Sequence, residues 1–217
     1  RPPPRPRRRR RVLARRRTLF YDLVIEEREG GEVSDEEAAA LLAAQVVAGS
    51  LKLKRWDSKV ERWIARVAFV SEAMPELELS PVGSEERELV IGQVCSGARS
   101  YREVKDRDVW PALRDWLSEP QRAALESYAP ERIELANGVG AKVNYEVGMA
   151  PTIALKVQQL YGVQETPTIS GRPVQVQILA PSQRAWQVTQ DLSSFWEHGY
   201  PQMKKELAGR YPRHEWR

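Results

Sequence analysis

Cysteine and histidine are scarce in this chain, and their scarcity excludes several kinds of protein. Of the 217 residues, one is cysteine, Cys95, and two are histidine. A single cysteine cannot form an intrachain disulfide, which predicts a reducing compartment, and its apolar neighbours predict that Cys95 is a small core residue. One cysteine and two histidines cannot supply a usual zinc site, so we expect no bound metal.

Long hydrophobic runs and catalytic motifs are absent as well. No apolar run reaches the roughly 18 residues of a membrane-spanning helix, and no secretory signal is recognisable. The sequence lacks the Gly-x-x-x-x-Gly-Lys-Ser/Thr loop that cradles nucleotide phosphates. Asp191 and Ser193-Ser194 lie near His198 in sequence, but nothing positions them as a hydrolytic triad, and His214 is interpreted as a packing or hydrogen-bonding residue of the terminal segment. We expect no nucleotide hydrolysis and no cofactor for this chain alone.

Charge is distributed unevenly along the chain. Ten arginines precede the first acidic residue, Asp22, while the whole chain has a net charge of only +4, so residues 18–217 have a net charge of −6. An acidic body attracts nucleic acid poorly, so any nucleic-acid surface must be local. Residues 1–11 form an Arg/Pro tail predicted to be disordered. Three interpretations of it stay open: a nucleic-acid-binding arm, a targeting segment, or the start of a truncated gene product.

Residues 30–128 are predicted to form a helical subdomain. Apolar residues recur there every three to four positions, which is typical of helices with one buried face. Serine N-caps predict four helix starts, at Ser34, Ser58, Ser84 and Ser118. A further helix is expected from residue 106 or 108. Upstream of the helices, residues 17–27 are rich in aromatic and β-branched residues and predict a strand, for which residues 11–14 are the candidate partner.

Residues 129–217 are predicted to form a smaller α+β subdomain. Asn137-Gly138 is typical of a two-residue hairpin turn. Pro151 precedes apolar residues at helical spacing, which predict a helix. Residues 173–179 alternate between apolar and polar side chains, as a half-buried strand does. Two short helices are expected to follow, within residues 187–207.

The C-terminal part of the chain contains several uncommon short sequence motifs in a specific order. They are VTQDLSSFW (188–196), Tyr200-Pro201, Lys205-Glu206-Leu207 and GRYPRH (209–214), preceded by LKVQQLYG (155–162) and Glu165-Thr166-Pro167. In these motifs the chain resembles the C-terminal domain of HrpB-type ATP-dependent RNA helicases, a bacterial DExH-box family. The resemblance extends from about Val12 to the end, and it does not include the two RecA-like motor lobes of that family.

This resemblance implies an α+β architecture in which residues 12–29 are the last strands of an OB-like barrel. It further implies that ATP and magnesium are bound only by the motor lobes, which are missing here. The expected partners are therefore RNA and the motor lobes, in cis or in trans, without a membrane or a small-molecule substrate. The expected location is the bacterial cytoplasm.

Basic and aromatic residues interleave near the end of the chain, as in surfaces that stack bases and neutralise phosphates. The candidate contact residues for RNA or for an interface are Lys204, Lys205, Arg210, Tyr211, Arg213 and Trp216. The alternative interpretation is that Tyr211-Pro212 pins the tail to the domain and the charges form a solvated rim.

Two other functions are weighed against the helicase accessory domain. In the first, the chain is a stand-alone protein–protein adaptor whose acidic helical half is the docking surface and whose arginine tail is a targeting address. The second is an enzyme of unknown chemistry, which the missing catalytic constellation makes the weakest interpretation.

Overall fold

The computed structural model describes residues 12–13, 15–20, 23–29 and 33–217, and for residues 15–20 and 23–29 it describes the strands alone. The Arg/Pro tail predicted over residues 1–11 lies outside the described residues. The helices run over Asp35–Val47 (α1), Ser58–Ala73 (α2), Ser84–Cys95 (α3), Tyr101–Val104 (α4), Trp110–Arg114 (α5), Glu119–Tyr128 (α6), Leu192–Ser194 (α7) and Tyr200–Leu207 (α8). Short 3₁₀ turns cover Pro75–Leu77 and Val157–Leu160, and a π-helical turn covers Phe195–Gly199.

The described strands form three sheets. They are Arg15–Phe20 (β1), Leu23–Glu29 (β2), Arg132–Glu134 (β3), Gly140–Asn144 (β4), Thr152–Lys156 (β5), Thr168–Ile169 (β6), Arg172–Pro173 (β7), Gln175–Leu179 (β8) and Ala185–Thr189 (β9). The main sheet has the order β3-β4-β5-β8-β9, in which β5 and β8 are parallel and the other neighbours antiparallel. Strands β1 and β2 pair with each other, as do β6 and β7. The α+β fold class is thereby confirmed.

The chain divides into two compact units: residues 1–60 with 82–116, and residues 61–81 with 117–217. In the first unit α1 packs against α3 and α3 against α5. Its core is made of buried aliphatic side chains with Cys95, which is fully buried as predicted. Burial raises the pKa of the Cys95 thiol, against a smaller opposite effect of the Arg107 guanidinium.

The second unit is organised on the main sheet. Alternate residues of β4, β5 and β8 are buried and their neighbours are not, so one face of the sheet is packed and the other faces solvent. Val174, Val176 and Ile178 are fully buried, which confirms the alternation read from the sequence. The hairpin predicted at Asn137-Gly138 forms, since β3 pairs with β4 across it, but its turn is not the predicted two-residue one. Leu135 and Val139 close a three-residue loop in which Gly138 alone has a positive φ, 79°.

The helix predicted after Pro151 is wrong. Thr152–Lys156 is strand β5, and Val157–Leu160 is a 3₁₀ turn. Ile153 and Val157 are both buried because one lies in the strand and the other in the turn, which together imitate helical spacing. The competing signal is the parallel pairing of β5 with β8, in which Ile153 lies opposite Val176. A partner more than twenty residues away outweighs local spacing.

Smaller predictions also need correction. The single strand over residues 17–27 is in fact β1 and β2, which pair with each other. The first of the two short C-terminal helices begins only at Leu192, since Ala185–Thr189 is strand β9.

Two of the predicted serine caps are misplaced by one residue. The carboxylate of Asp57, rather than Ser58, accepts the N–H groups of Lys59 and Val60, at 2.8 and 3.3 Å. Gly83 precedes α3, and its N–H donates to the Glu86 carboxylate at 2.9 Å. The capping boxes at Ser34 and Ser118 are confirmed. Hydrogen bonds from Ser34, first from its backbone N–H, lower the pKa of Glu37.

Candidate nucleic-acid interface

A π-helical turn joins α7 to α8 and sets the direction of the C-terminal segment. The Asp191 carboxylate accepts the Ser194 N–H at 2.9 Å and so caps α7. The turn follows, and the Tyr200 N–H donates to the Phe195 carbonyl, five residues back. A Cβ on Gly199 would lie 2.7 Å from the ring of Phe195, so only glycine fits there without a shift of a buried ring. In α8, Tyr200 and Lys204 are four residues apart and share one face.

Five aromatic rings pack around this turn, those of Tyr161, Trp186, Phe195, Trp196 and Tyr200. The centroids of Phe195 and Trp196 are 5.1 Å apart, those of Trp196 and Tyr200 5.2 Å, and those of Tyr161 and Tyr200 6.0 Å in an edge-on arrangement. The indole N–H of Trp196 donates to the Val163 carbonyl at 2.6 Å. The cluster therefore joins α8 to the residues that follow β5 and holds the two tyrosine hydroxyls side by side, 2.9 Å apart.

The end of the chain lies against these two hydroxyls. Tyr200 donates to the main-chain oxygen of Arg217 at 2.7 Å. The Tyr161 hydroxyl lies 2.9 Å from the main-chain oxygen of Glu215 and 2.9 Å from the Tyr200 hydroxyl, and these two acceptors share its single proton. The Lys204 ammonium donates to the same oxygen of Arg217 at 2.9 Å. The Arg217 guanidinium lies 4.8 Å from the centre of the Tyr161 ring. Residues 215–217 are thus held by an ammonium, two hydroxyls and a cation–π contact.

Burial and the hydrogen bond with Tyr161 raise the pKa of the Tyr200 hydroxyl. Since a tyrosine hydroxyl is protonated at neutral pH even at its ordinary pKa, Tyr200 donates to the Arg217 oxygen there. The neighbouring amide of Gln158 donates to the Glu215 oxygen at 3.3 Å, while its own side-chain oxygen is buried and accepts no hydrogen bond from the described residues.

The predicted aromatic contact residues, Tyr211 and Trp216, form hydrogen bonds within the C-terminal segment itself. The Trp216 indole N–H donates to the Tyr211 carbonyl at 3.0 Å, and the Tyr211 N–H donates to the Leu207 carbonyl at 2.9 Å. The rings of Tyr211 and His214 are 6.0 Å apart and edge-on. Tyr211 and Trp216 are only half-exposed. These contacts join residues within 207–216, so they shape the segment itself.

The predicted cations fall into two groups. Lys204 is half-buried and holds Arg217, as described above. Lys205, Arg210 and Arg213 are exposed, and their side chains form no hydrogen bond or ion pair with the described part of the chain. We call these three residues the exposed cation set. The fold separates Lys204 from them although it neighbours Lys205 in sequence, because adjacent residues of a helix point about 100° apart.

The acids near the exposed cation set have other partners. Glu206 accepts the Trp186 indole N–H at 3.3 Å, and Glu215 is paired with the Arg217 side chain at 2.7 Å. Residues 198–217 contain five basic and two acidic residues, so the segment is locally positive on a chain whose body is acidic. Such a surface attracts phosphate groups over a distance of about one Debye length, ~10 Å at moderate salt.

The residues near His198 do not assemble a catalytic site. The His198 ring is exposed and lies 3.7 Å from the Glu197 carboxylate. Asp191 is used as a helix cap and its carboxylate holds the Ser194 backbone. Over the described ranges, no group of three or more His, Cys, Asp or Glu side chains is arranged to bind a metal ion. No helix there has the length and apolar character needed to cross a membrane.

The sequence did not predict that Arg66, in α2, is buried. Arg66 is only 3% exposed, and its guanidinium donates to the Ala129 carbonyl at 2.6 Å and to the carboxylates of Glu126 and Glu131 at 2.8 and 3.4 Å. The sequence gives one signal: Arg66 is three residues after Trp63 and four before the buried Val70, which places it at the edge of the apolar stripe of the helix. It is a structural group, because its partners are a main-chain carbonyl and two carboxylates of the same unit.

Comparison with known proteins gives consistent matches. A family model described as ATP-dependent helicase C-terminal, HrpB_C, matches residues 90–217. The chain is 31% identical over 172 residues to the ATP-dependent RNA helicase HrpB of Escherichia coli, covering 76% of this chain and 21% of that protein. A crystal structure of the E. coli DExH-box NTPase HrpB superposes with a TM-score of 0.72 and 27% identity, over 94% of this chain and 26% of that one.

A second crystal structure, of the Escherichia coli DEAH/RHA helicase HrpB, superposes with a TM-score of 0.63 and 27% identity, over 93% of this chain and 26% of that one. The chain thus spans about a fifth to a quarter of the length of these relatives.

Proposed function

Because this chain belongs to the family of ATP-dependent helicase C-terminal domains, we propose that it is the non-catalytic accessory domain of an HrpB-like ATP-dependent RNA helicase and contacts RNA. The exposed cation set, Lys205, Arg210 and Arg213, would bind the phosphate groups of the RNA. The observation that carries the proposal is that these three cations have no partner within the described residues while both nearby acids, Glu206 and Glu215, are engaged elsewhere.

The contact would be to the backbone of RNA rather than to its bases. Base recognition in single strands depends on aromatic faces that are open for stacking. Tyr211 and Trp216 are half-exposed and already hydrogen-bonded within the segment. Guanidinium and ammonium groups on a surface act on phosphates without regard to sequence. We therefore expect weak sequence preference and strong salt dependence.

In this proposal the helicase motor lobes, joined in cis or in trans, bind ATP and magnesium, and the whole protein acts on RNA in the bacterial cytoplasm. The domain described here would supply a positive surface beside the RNA path and no chemistry of its own. Strands β1 and β2 would be the end of an OB-like module, and residue 129 would divide a helical from an α+β subdomain.

The experiment measures binding of a fluorescein-labelled oligouridylate to the chain by anisotropy across a series of KCl concentrations. The variant Lys205→Ala/Arg210→Ala/Arg213→Ala should bind more weakly. The slope of log K against log salt should become shallower by about 2, since each phosphate contact on a single strand contributes about 0.7.

The matched control is Arg132→Ala/Lys142→Ala/Arg184→Ala, which removes three exposed cations from β3, β4 and the loop before β9. Its net charge equals that of the first variant, so a general charge effect would weaken both equally. Equal loss in the two variants, or unchanged binding in the first, would refute the proposed surface. Hydrolysis of ATP by the chain alone would refute its non-catalytic assignment.

A second function, docking of a partner protein, is favoured by apolar surface in the first unit. Leu41 and Val47 of α1 and Leu89 of α3 are 54%, 46% and 61% exposed. A cavity of about 420 Å³ nearby is lined by apolar residues including Leu51 and Leu53. Exposed apolar side chains of this kind mark interaction sites when they are contiguous. Association with separately purified motor lobes that is lost in Leu89→Glu and kept in Glu85→Gln would support this function, since Glu85 is exposed on the same helix and outside the cavity lining. Association unaffected by Leu89→Glu would exclude this surface.

A further inference from the structure

Lys204 belongs to the predicted basic set, yet the structure gives it a different role from its neighbours. We infer that Lys204 is a positioning residue: with Tyr161 and Tyr200 it holds residues 215–217, and this terminal latch fixes the direction in which Arg213 is presented. The part of the inference that concerns RNA rests on the proposed function; the existence of the latch does not.

The first argument is geometric. Tyr200 and Lys204 are one helical turn apart on α8, and both donate to a single acceptor, the main-chain oxygen of Arg217, at 2.7 and 2.9 Å. The ammonium group is therefore directed at the terminal segment, whereas the next residue, Lys205, is exposed. The Lys204 ammonium is thereby already hydrogen-bonded within the described part of the chain, whereas the Lys205 ammonium is not.

The second argument concerns the segment that carries the arginines. Residues 208–217 follow the end of α8 and are attached at both ends. At the start, the N–H groups of Arg210 and Tyr211 donate to the Leu207 carbonyl, at 3.1 and 2.9 Å. At the far end, Tyr161 holds the Glu215 oxygen and the Tyr200–Lys204 pair holds that of Arg217. Arg213 lies between the two attachments.

Releasing the far end would leave only the internal turn of the segment to orient Arg213. That turn consists of the Trp216 indole bond to the Tyr211 carbonyl and the His214 N–H bond to the same carbonyl, at 3.0 and 3.1 Å. Losing one hydrogen bond at the latch should change the ratio of attached to released segment by roughly fivefold. The released segment samples many directions. It therefore loses more conformational entropy when its cations bind an RNA backbone, which weakens the binding.

The first arm of the test needs no RNA. Limited trypsin digestion of the full chain is followed by mass spectrometry of the peptide released by cleavage after Arg213. Cleavage of a transiently released segment tracks the population of the open form. Tyr200→Phe and Lys204→Met should release this peptide roughly fivefold faster than the unaltered chain, and Lys205→Met at the unaltered rate. Release at the unaltered rate from both latch variants would overturn the latch.

The second arm separates positioning from phosphate contact. Tyr200→Phe changes no charge, so it should weaken RNA binding only if the latch matters, and it should then resemble Lys204→Met. If Lys204 instead contacts phosphate, Lys204→Met will match Lys205→Met in affinity and salt slope, Tyr200→Phe will bind normally, and the positioning role is refuted. If Lys205→Met and the triple variant bind RNA normally, the proposed function fails, and the protease arm still decides whether the latch exists.

Discussion

Replacing the buried Arg66 by methionine tests the reasoning about α2 most directly. Arg66→Met keeps an unbranched stem about as long as the arginine methylene chain and removes the guanidinium, with its charge and all of its donors. The change leaves the Ala129 carbonyl, on a residue with no exposed surface, without its partner at 2.6 Å. It also breaks two ion pairs whose carboxylates are well exposed, at 65% for Glu126 and 74% for Glu131.

The magnitude follows from these exposures. An unsatisfied buried carbonyl costs about 1–3 kcal/mol. Each broken ion pair costs at most about 1 kcal/mol, because water readily solvates an exposed carboxylate. Methionine offsets part of this loss, since an apolar side chain carries no desolvation penalty in the site. We expect a net destabilisation of about 2 kcal/mol, most of it from the carbonyl.

Urea unfolding followed by far-UV circular dichroism measures this change as a lower midpoint with an unchanged m value. The matched controls are Arg132→Met, on the exposed edge strand β3, and Glu126→Gln, which removes one ion pair and leaves the bond to Ala129. Both should lie within about 1 kcal/mol of the unaltered chain. The reasoning is refuted if Glu126→Gln is as costly as Arg66→Met, or if Arg66→Met changes stability by less than about 0.5 kcal/mol.

Three further predictions follow from local geometry. Gly199→Ala should destabilise the chain by about 1–3 kcal/mol, since its Cβ would meet the buried Phe195 ring at 2.7 Å, whereas Gly209→Ala, with open space around it, should not; equal midpoints in urea would contradict this. Asp57→Ala should cost about 1 kcal/mol and Ser58→Ala much less, because the Asp57 carboxylate caps α2; the reverse order in thermal unfolding would restore Ser58 as the cap. The raised pKa of Cys95 means that the unfolded thiol ionises first, so stability should fall as pH rises above the ordinary value of 9.0, and Cys95→Ala should flatten that decline in urea titrations at successive pH values; an unchanged pH profile would show that the thiol contributes nothing.

The helical part of the chain was the most predictable from sequence. Ser34 and Ser118 each lie three residues before a Glu or Gln, and both capping boxes form in the structure. Such signals are local, since donor and acceptor are neighbours in the chain and need no tertiary partner. The misplacement of the caps at Asp57 and Gly83 has the same local origin, because two adjacent residues can each serve as the cap.

Strand β5 was misread because its identity depends on a distant partner. Ile153 is buried against the packed face only when Thr152–Lys156 pairs in parallel with Gln175–Leu179. The turn that follows brings Val157 and Leu160 into the same core. Apolar spacing alone cannot distinguish this arrangement from a helix, since both place the same residues inside.

For the candidate interface, the sequence alone determined that basic and aromatic residues are concentrated at the end of an otherwise acidic chain. It also determined which family these motifs resemble. Only the tertiary structure decided which of them face solvent. Lys204 and Lys205 are chemically identical neighbours, yet one holds the chain end and the other is exposed. That division depends on where Tyr161 contacts Tyr200, which lies 39 residues further along the chain. Contacts between distant segments are set by packing, which no local pattern of residues encodes.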